Sequence, residues 1–162
     1  MTIPEKAVQW AVNIANDNSH GYDQSSRWGP DYDCSSLVIS AYKNAGVPLA
    51  CTYTGNMRLD MLSKGFQIVT HKPTSTSGLQ PGDVLLNEAN HTAMYIGGGM
   101  IVQASGNENG GATGGRTGDQ TGREISTMSY YTPSYGWDYA LRYVPKETAT
   151  EPSKPKDEKT DW

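Results

Sequence analysis

Residues 91–105 read HTAMYIGGGMIVQAS. Two short runs flank three consecutive glycines, and neither run is long enough for a helix. Alternation puts His91, Ala93 and Tyr95 on one side of an extended strand, and Thr92, Met94 and Ile96 on the other. Glycine adopts backbone conformations closed to other residues, so Gly97, Gly98 and Gly99 make a tight reversal easy. The stretch predicts an antiparallel hairpin, and its register decides which residues share a face. A two-residue turn at Gly98 and Gly99 pairs Gln103 with Met94, on the face away from His91. A three-residue turn over 97–99 pairs Gln103 with Ala93, on the face of His91 and diagonal to it. With three glycines available, the second register is expected.

Other strand signals surround this hairpin: Phe66 to Val69, DVLLN at 83–87 after the turn residues Pro81 and Gly82, and WDYALRYV at 137–144. All are short and punctuated by glycine or proline. Helices come earlier. Thr2 and Glu5 have capping-box spacing, and Ile3, Ala7, Trp10, Ala11 and Ile14 form one stripe. In DCSSLVISAYKNAGVPL (33–49) the stripe is Leu37, Val38, Ala41, Tyr42 and Ala45, and Gly46 with Pro48 ends it. A shorter helix is expected from Asn56 to Ser63. The polar segment 16–33 reads as a long loop. Helices followed by an antiparallel meander make an α+β arrangement, with the N-terminal helices packed on the sheet.

A chain of 162 residues supports one compact domain, placed at 1–145. The glycine-rich stretch 106–122 reads as a mobile surface loop, and it lacks the ending of a phosphate-binding loop. Residues 146–162 are rich in Pro, Lys and Glu, and are expected to be a disordered linker leading to an absent binding domain. A net charge of −4 without a basic cluster argues against nucleic acid. No apolar run approaches membrane-spanning length, so no membrane partner is expected. The N-terminus has no basic region followed by a solid apolar core, so no secretory signal is expected. A monomer is expected.

Two cysteines, Cys34 and Cys51, exclude a disulfide-stapled scaffold, and zinc-finger spacing is absent. Asp31 and Asp33 alternate, but no Ca²⁺-loop pattern surrounds them, and neither metal nor cofactor is expected. Cys34 lies in the first turn of a helix capped by Asp33. There the helix dipole and free backbone amides are expected to lower the thiol's pKa. Of the three histidines, His20 and His71 read as solvated loop residues. His91 opens a strand and has Gln103 diagonal to it. A thiol, an imidazole and a polar group to hold the imidazole are the parts of a covalent hydrolase. In this reading the His91 Nδ1–H donates to the Gln103 amide oxygen and Nε2 faces Cys34.

Four segments carry a resemblance to a known family. DCSSLVISAY resembles the DCSGL segment of the NlpC/P60 cell-wall peptidases. LQPGDVLL resembles their LxPGD strand entry. HTAMYIGGGMIVQAS resembles their histidine hairpin, with Gln103 where a second histidine often stands. Tyr22, twelve residues before Cys34, stands where the family has the tyrosine of its PYxWGG segment. Ser36 replaces the family's usual glycine, and the WGG is missing, although Trp28-Gly29-Pro30 lies nearby. These departures and the HTxM start look more like the phage peptidoglycan hydrolase (endolysin) branch. The resemblance implies a papain-like fold and a peptidoglycan substrate. In the implied site Cys34 is nucleophile, His91 base and Gln103 orienter. Tyr22 helps to stabilise the oxyanion, and Asp33 and Ser35 contact the stem peptide. The implied cut is the D-isoglutamyl–diamino acid bond, with the N-acetylmuramoyl-L-alanine amidase cut and an inactive wall-binding module as alternatives. The branch also implies synthesis in a host cytoplasm and release through a holin pore.

Overall fold

The computed structural model describes residues 1–25, 27–106, 111–113, 116–119, 121 and 124–145. Its order is α1 (Ile3–Ala15), α2 (Cys34–Asn44), α3 (Thr54–Ser63), β1 (Phe66–His71), β2 (Val84–Asn87), β3 (His91–Gly97), β4 (Met100–Ala104), β5 (Ile125–Ser129) and β6 (Tyr139–Tyr143). The expected linker 146–162 lies outside the described residues, as does part of the glycine-rich stretch.

Both long helices start as their sequences predict. Thr2 accepts from the Glu5 amide at 3.2 Å, and Glu5 accepts from the Thr2 amide at 2.7 Å. Asp33 Oδ1 accepts from the Ser36 amide and Ser36 Oγ from the Asp33 amide, each at 2.9 Å. The serine at 36 therefore completes a reciprocal cap that a glycine could not supply. Gly46, with φ of 110°, closes α2 in the left-handed region. The third helix begins two residues before its expected start.

The strands form one antiparallel sheet in the order β1-β6-β2-β3-β4-β5. The expected meander holds for β2 to β4 only, because β6 inserts between β1 and β2. Asp83 fixes that insertion. Its buried carboxylate takes both prongs of Arg142 from β6, at 2.9 and 2.8 Å. Strand β5 is absent from the sequence-based expectation. Its residues ISTMS are mostly exposed at the sheet edge, so they lack the alternation by which half-buried strands are found. His71 ends β1 and is exposed, a strand residue instead of the expected loop residue.

Sheet residues divide between two packed faces. Val84, Leu86, Met94, Val102 and Ala104 pack with Leu37, Val38, Ala41 and Tyr42 of α2 in the main core. On the opposite face, Leu85, Ala93, Tyr95, Ile101 and Ala140 pack around Trp137. The described parts of the glycine-rich stretch are hydrogen-bonded to the loop 16–33. The Gly118 amide donates to Asp31, the Asp119 amide to the Asn18 carbonyl, and the Gln24 amide to the Ala112 carbonyl.

Candidate active site

Cys34 is the first residue of α2 and is partly exposed. The expected depression of its pKa is not found. Burial pushes the thiol up to about 11, and the neighbouring Asp33 carboxylate pushes the same way. The backbone amides of Thr92 and Ser35 and the Arg27 guanidinium favour the thiolate, but they do not offset these effects. The helix terminus does supply amides. Burial and a capping carboxylate cost the anion more than those amides return. The Thr92 amide also locates Cys34 against the start of β3, one residue beyond His91.

The His91 imidazole is buried. Its Nε2 lies 2.8 Å from the Gln103 amide oxygen, and its ring stacks on Trp137 at 5.9 Å between centroids. The shared face was expected, but the hairpin achieves it differently. Gly97 pairs with Met100, so the turn has two residues, Gly98 and Gly99, both with positive φ. Continued regularly, that pairing would send Gln103 to the other face. A bulge between Tyr95 and Gly97 restores the register, with Tyr95 opposite Ile101 and Met94 opposite Val102. The nitrogen is also corrected. Nε2, not Nδ1, bonds Gln103, and Nδ1 is the nitrogen left over. Burial lowers the His91 pKa, and the bond to Gln103 raises it by less.

Asp33 and Ser35 are held by a residue that the sequence motifs did not reveal. Arg27 Nε donates to Asp33 Oδ2 and a second guanidinium nitrogen to Ser35 Oγ, both at 2.7 Å. Tyr22 is buried, and its hydroxyl accepts from Gln24 at 3.2 Å. Burial pushes Tyr22 up to about 12, with smaller effects from Cys34 and Asp33 in the same direction, so its hydroxyl keeps its proton. A groove at Cys34 is lined by Arg27, Asp33 and Ser35 together with Tyr53, Thr54, Ala89 and Asn90.

The other unforeseen residues lie between β5 and β6. Tyr131 donates to the Gln103 oxygen at 3.0 Å, and Trp137 donates to the Tyr131 carbonyl at 3.1 Å. Four aromatics between 130 and 137 in an otherwise polar connection were the available signal. Cys51 is buried and both thiols are free, so Cys34 and Cys51 form no bridge. Among the described residues, no group of three or more His, Cys, Asp or Glu is placed to hold a metal ion. No described helix is long and apolar enough to cross a membrane.

The sequence profile of the endolysin-like domain family matches residues 29–100 and 101–154. A "probable endopeptidase" of Mycobacterium tuberculosis is 38% identical over 76 residues, which cover 46% of this chain and 17% of that protein. The chain thus aligns with only a small part of the curated relatives it matches. Two solved structures share the fold. NlpC1 of Trichomonas vaginalis superimposes with a TM-score of 0.54 at 21% identity, over 86% of this chain and 44% of that one. The P60 domain of the Mycobacterium avium subspecies paratuberculosis antigen MAP1204 gives 0.53 at 16%, over 87% and 97%. Three helices on a six-stranded antiparallel sheet are the NlpC/P60 fold.

Proposed function

The chain belongs to the endolysin-like domain family, and from that membership we propose that it is a peptidoglycan hydrolase using Cys34 as nucleophile. The observation that carries this reading is the His91–Gln103 pair at the strand start whose Thr92 amide acts on the Cys34 sulfur. The mycobacterial relative, a probable endopeptidase, agrees with it.

The chemistry follows from the protonation states. With its pKa depressed, His91 is neutral at pH 7, and the Cys34 thiol keeps its proton. The resting pair is therefore thiol and imidazole. As Cys34 Sγ attacks a stem-peptide carbonyl, its proton passes to His91 Nδ1, and from there to the leaving amine. Water then hydrolyses the thioester by the same route in reverse. The Cys34 amide has no partner within the helix and is suited to bind the oxyanion, together with the protonated Tyr22 hydroxyl. Asp33 and Ser35, set by Arg27, face the groove as contacts for the stem peptide.

The bond proposed is D-isoglutamyl–diamino acid, and the protein proposed is the catalytic part of a phage lysin that reaches the wall through a holin pore. Mass spectrometry of fragments from defined muropeptides tests the bond. Release of a free diamino-acid terminus supports the endopeptidase. Release of intact stem peptide from the muramic acid means an amidase, and no fragment means no hydrolase.

A further inference from the structure

Glutamine is an ambiguous partner for an imidazole. Its amide has an accepting end and a donating end of nearly the same shape. With the oxygen toward His91, Nε2 carries the proton and Nδ1 is a free base. With the nitrogen toward His91, Nε2 must be bare, and the proton sits on Nδ1, where no lone pair remains to take a thiol proton. A carboxylate or a backbone carbonyl offers no such choice, so the surroundings of Gln103 must make it.

Two side chains there discriminate between the ends, because a thioether cannot donate and a phenol hydroxyl donates more readily than it accepts. The Tyr131 hydroxyl donates to Gln103 Oε1 at 3.0 Å, in addition to His91. On the other side, Gln103 Nε2 donates to Met128 Sδ at 3.1 Å. A thioether has no proton to give, so it suits the amide nitrogen and leaves an oxygen in that place without a donor. Gln103 is buried, which makes an undonated carbonyl there unfavourable. Trp137 holds the frame, with its indole N–H on the Tyr131 carbonyl and its ring against the His91 ring.

We propose that Tyr131 and Met128 are positioning residues that fix which end of the Gln103 amide faces His91, and thereby which imidazole nitrogen carries the proton. The catalytic consequence rests on the reading of Cys34 and His91 as the reacting pair, whereas the tautomer does not.

The test is ¹⁵N NMR of the His91 ring on the full chain, at a pH where the ring is neutral, beside kinetics on purified wall. Wild type is expected as the Nε2–H tautomer. Tyr131→Phe with Met128→Leu is expected to give a tautomer mixture and a severalfold loss of kcat at unchanged KM. Adding Gln103→Glu, which has only accepting oxygens, is expected to restore Nε2–H and most of the lost kcat. A double variant that keeps pure Nε2–H overturns the proposal, as does a mixture that Gln103→Glu leaves unchanged. Absence of wall hydrolysis by wild type counts against the hydrolase reading alone, because the tautomer is read without turnover.

Discussion

His91 reaches Gln103 through Nε2, at 2.8 Å, across a hairpin whose two-residue turn would by itself have separated them. The bond directs the ring without supplying charge. A neutral amide stabilises imidazolium less than a carboxylate does, so the contribution of Gln103 is mainly orientation. His91→Ala removes the base and is expected to cost about 10²–10⁴-fold in turnover. Gln103→Ala is expected to cost about a hundredfold at most, the scale of a misplaced group. Gln103→His should retain substantial activity. Initial rates on a soluble muropeptide rank the three, and Gln103→Ala as inactive as His91→Ala would refute the division of roles.

How far the sequence reached depends on burial. The helices at Thr2 and Asp33 were legible because a capping pair and an apolar stripe are local. Strands buried on both faces, such as His91 to Gly97, were legible because a short, largely apolar run bounded by glycine is local too. The turn at Gly98 and Gly99 differs from expectation although the shared face was right, because a bulge adds one residue without leaving a distinct local signature. Strand β5 was not legible because an edge strand needs little apolar content. Cys34, His91 and Gln103 came from motif and alternation together. Arg27 and Tyr131 did not, since each meets its partner through loop geometry that no periodicity encodes. The Cys34 shift has the opposite sign to the expected one because desolvation outweighs the dipole and the amides.

The pH dependence follows from the two shifts. Burial lowers His91 below its ordinary 6.5, so the ring remains a base to lower pH. The acid limb of kcat/KM is expected below pH 6.5. Gln103 stabilises the protonated ring, so Gln103→Ala should move the limb further down. Stability has the same sign. Below the unfolded value the unfolded chain binds the proton that the folded chain resists, so His91 subtracts stability as pH falls through 6.5. An acid limb above 6.5 would mean that a carboxylate or thiolate, not Gln103, sets the state of the ring.

Arg27 ties Asp33 to Ser35 by two different nitrogens, at 2.7 Å each. Lysine cannot reproduce that fork. Arg27→Lys and Arg27→Ala are both expected to raise KM for stem peptides, and Arg27→Ala to lower stability by roughly 1–3 kcal/mol, from Asp33 Oδ2 left without the guanidinium while Oδ1 keeps the Ser36 amide. Isothermal titration on a Cys34→Ala background reads binding, and denaturant melts read stability. Wild-type affinity in Arg27→Ala would remove Asp33 and Ser35 from the proposed substrate contacts.

Cys51 is buried, with its thiol pushed up to about 12 by burial and then by Asp60. Cys51→Ser is expected to leave turnover unchanged within a factor of about two, apart from a small loss of stability on the scale of ordinary substitutions. A large loss of kcat with an intact fold would show that the cysteine chemistry has been assigned to the wrong thiol.

The hydrolase reading of this site depends on a covalent intermediate at Cys34, and turbidity loss of purified cell walls with Cys34→Ala decides whether that thiol is needed. The substitution removes one sulfur from a partly exposed first helical turn, so circular dichroism and the melting midpoint should stay close to wild type. Lysis is expected from wild type, and none above background from Cys34→Ala at equal concentration. Lysis by the folded Cys34→Ala protein near the wild-type rate would contradict the assignment of Cys34 as nucleophile.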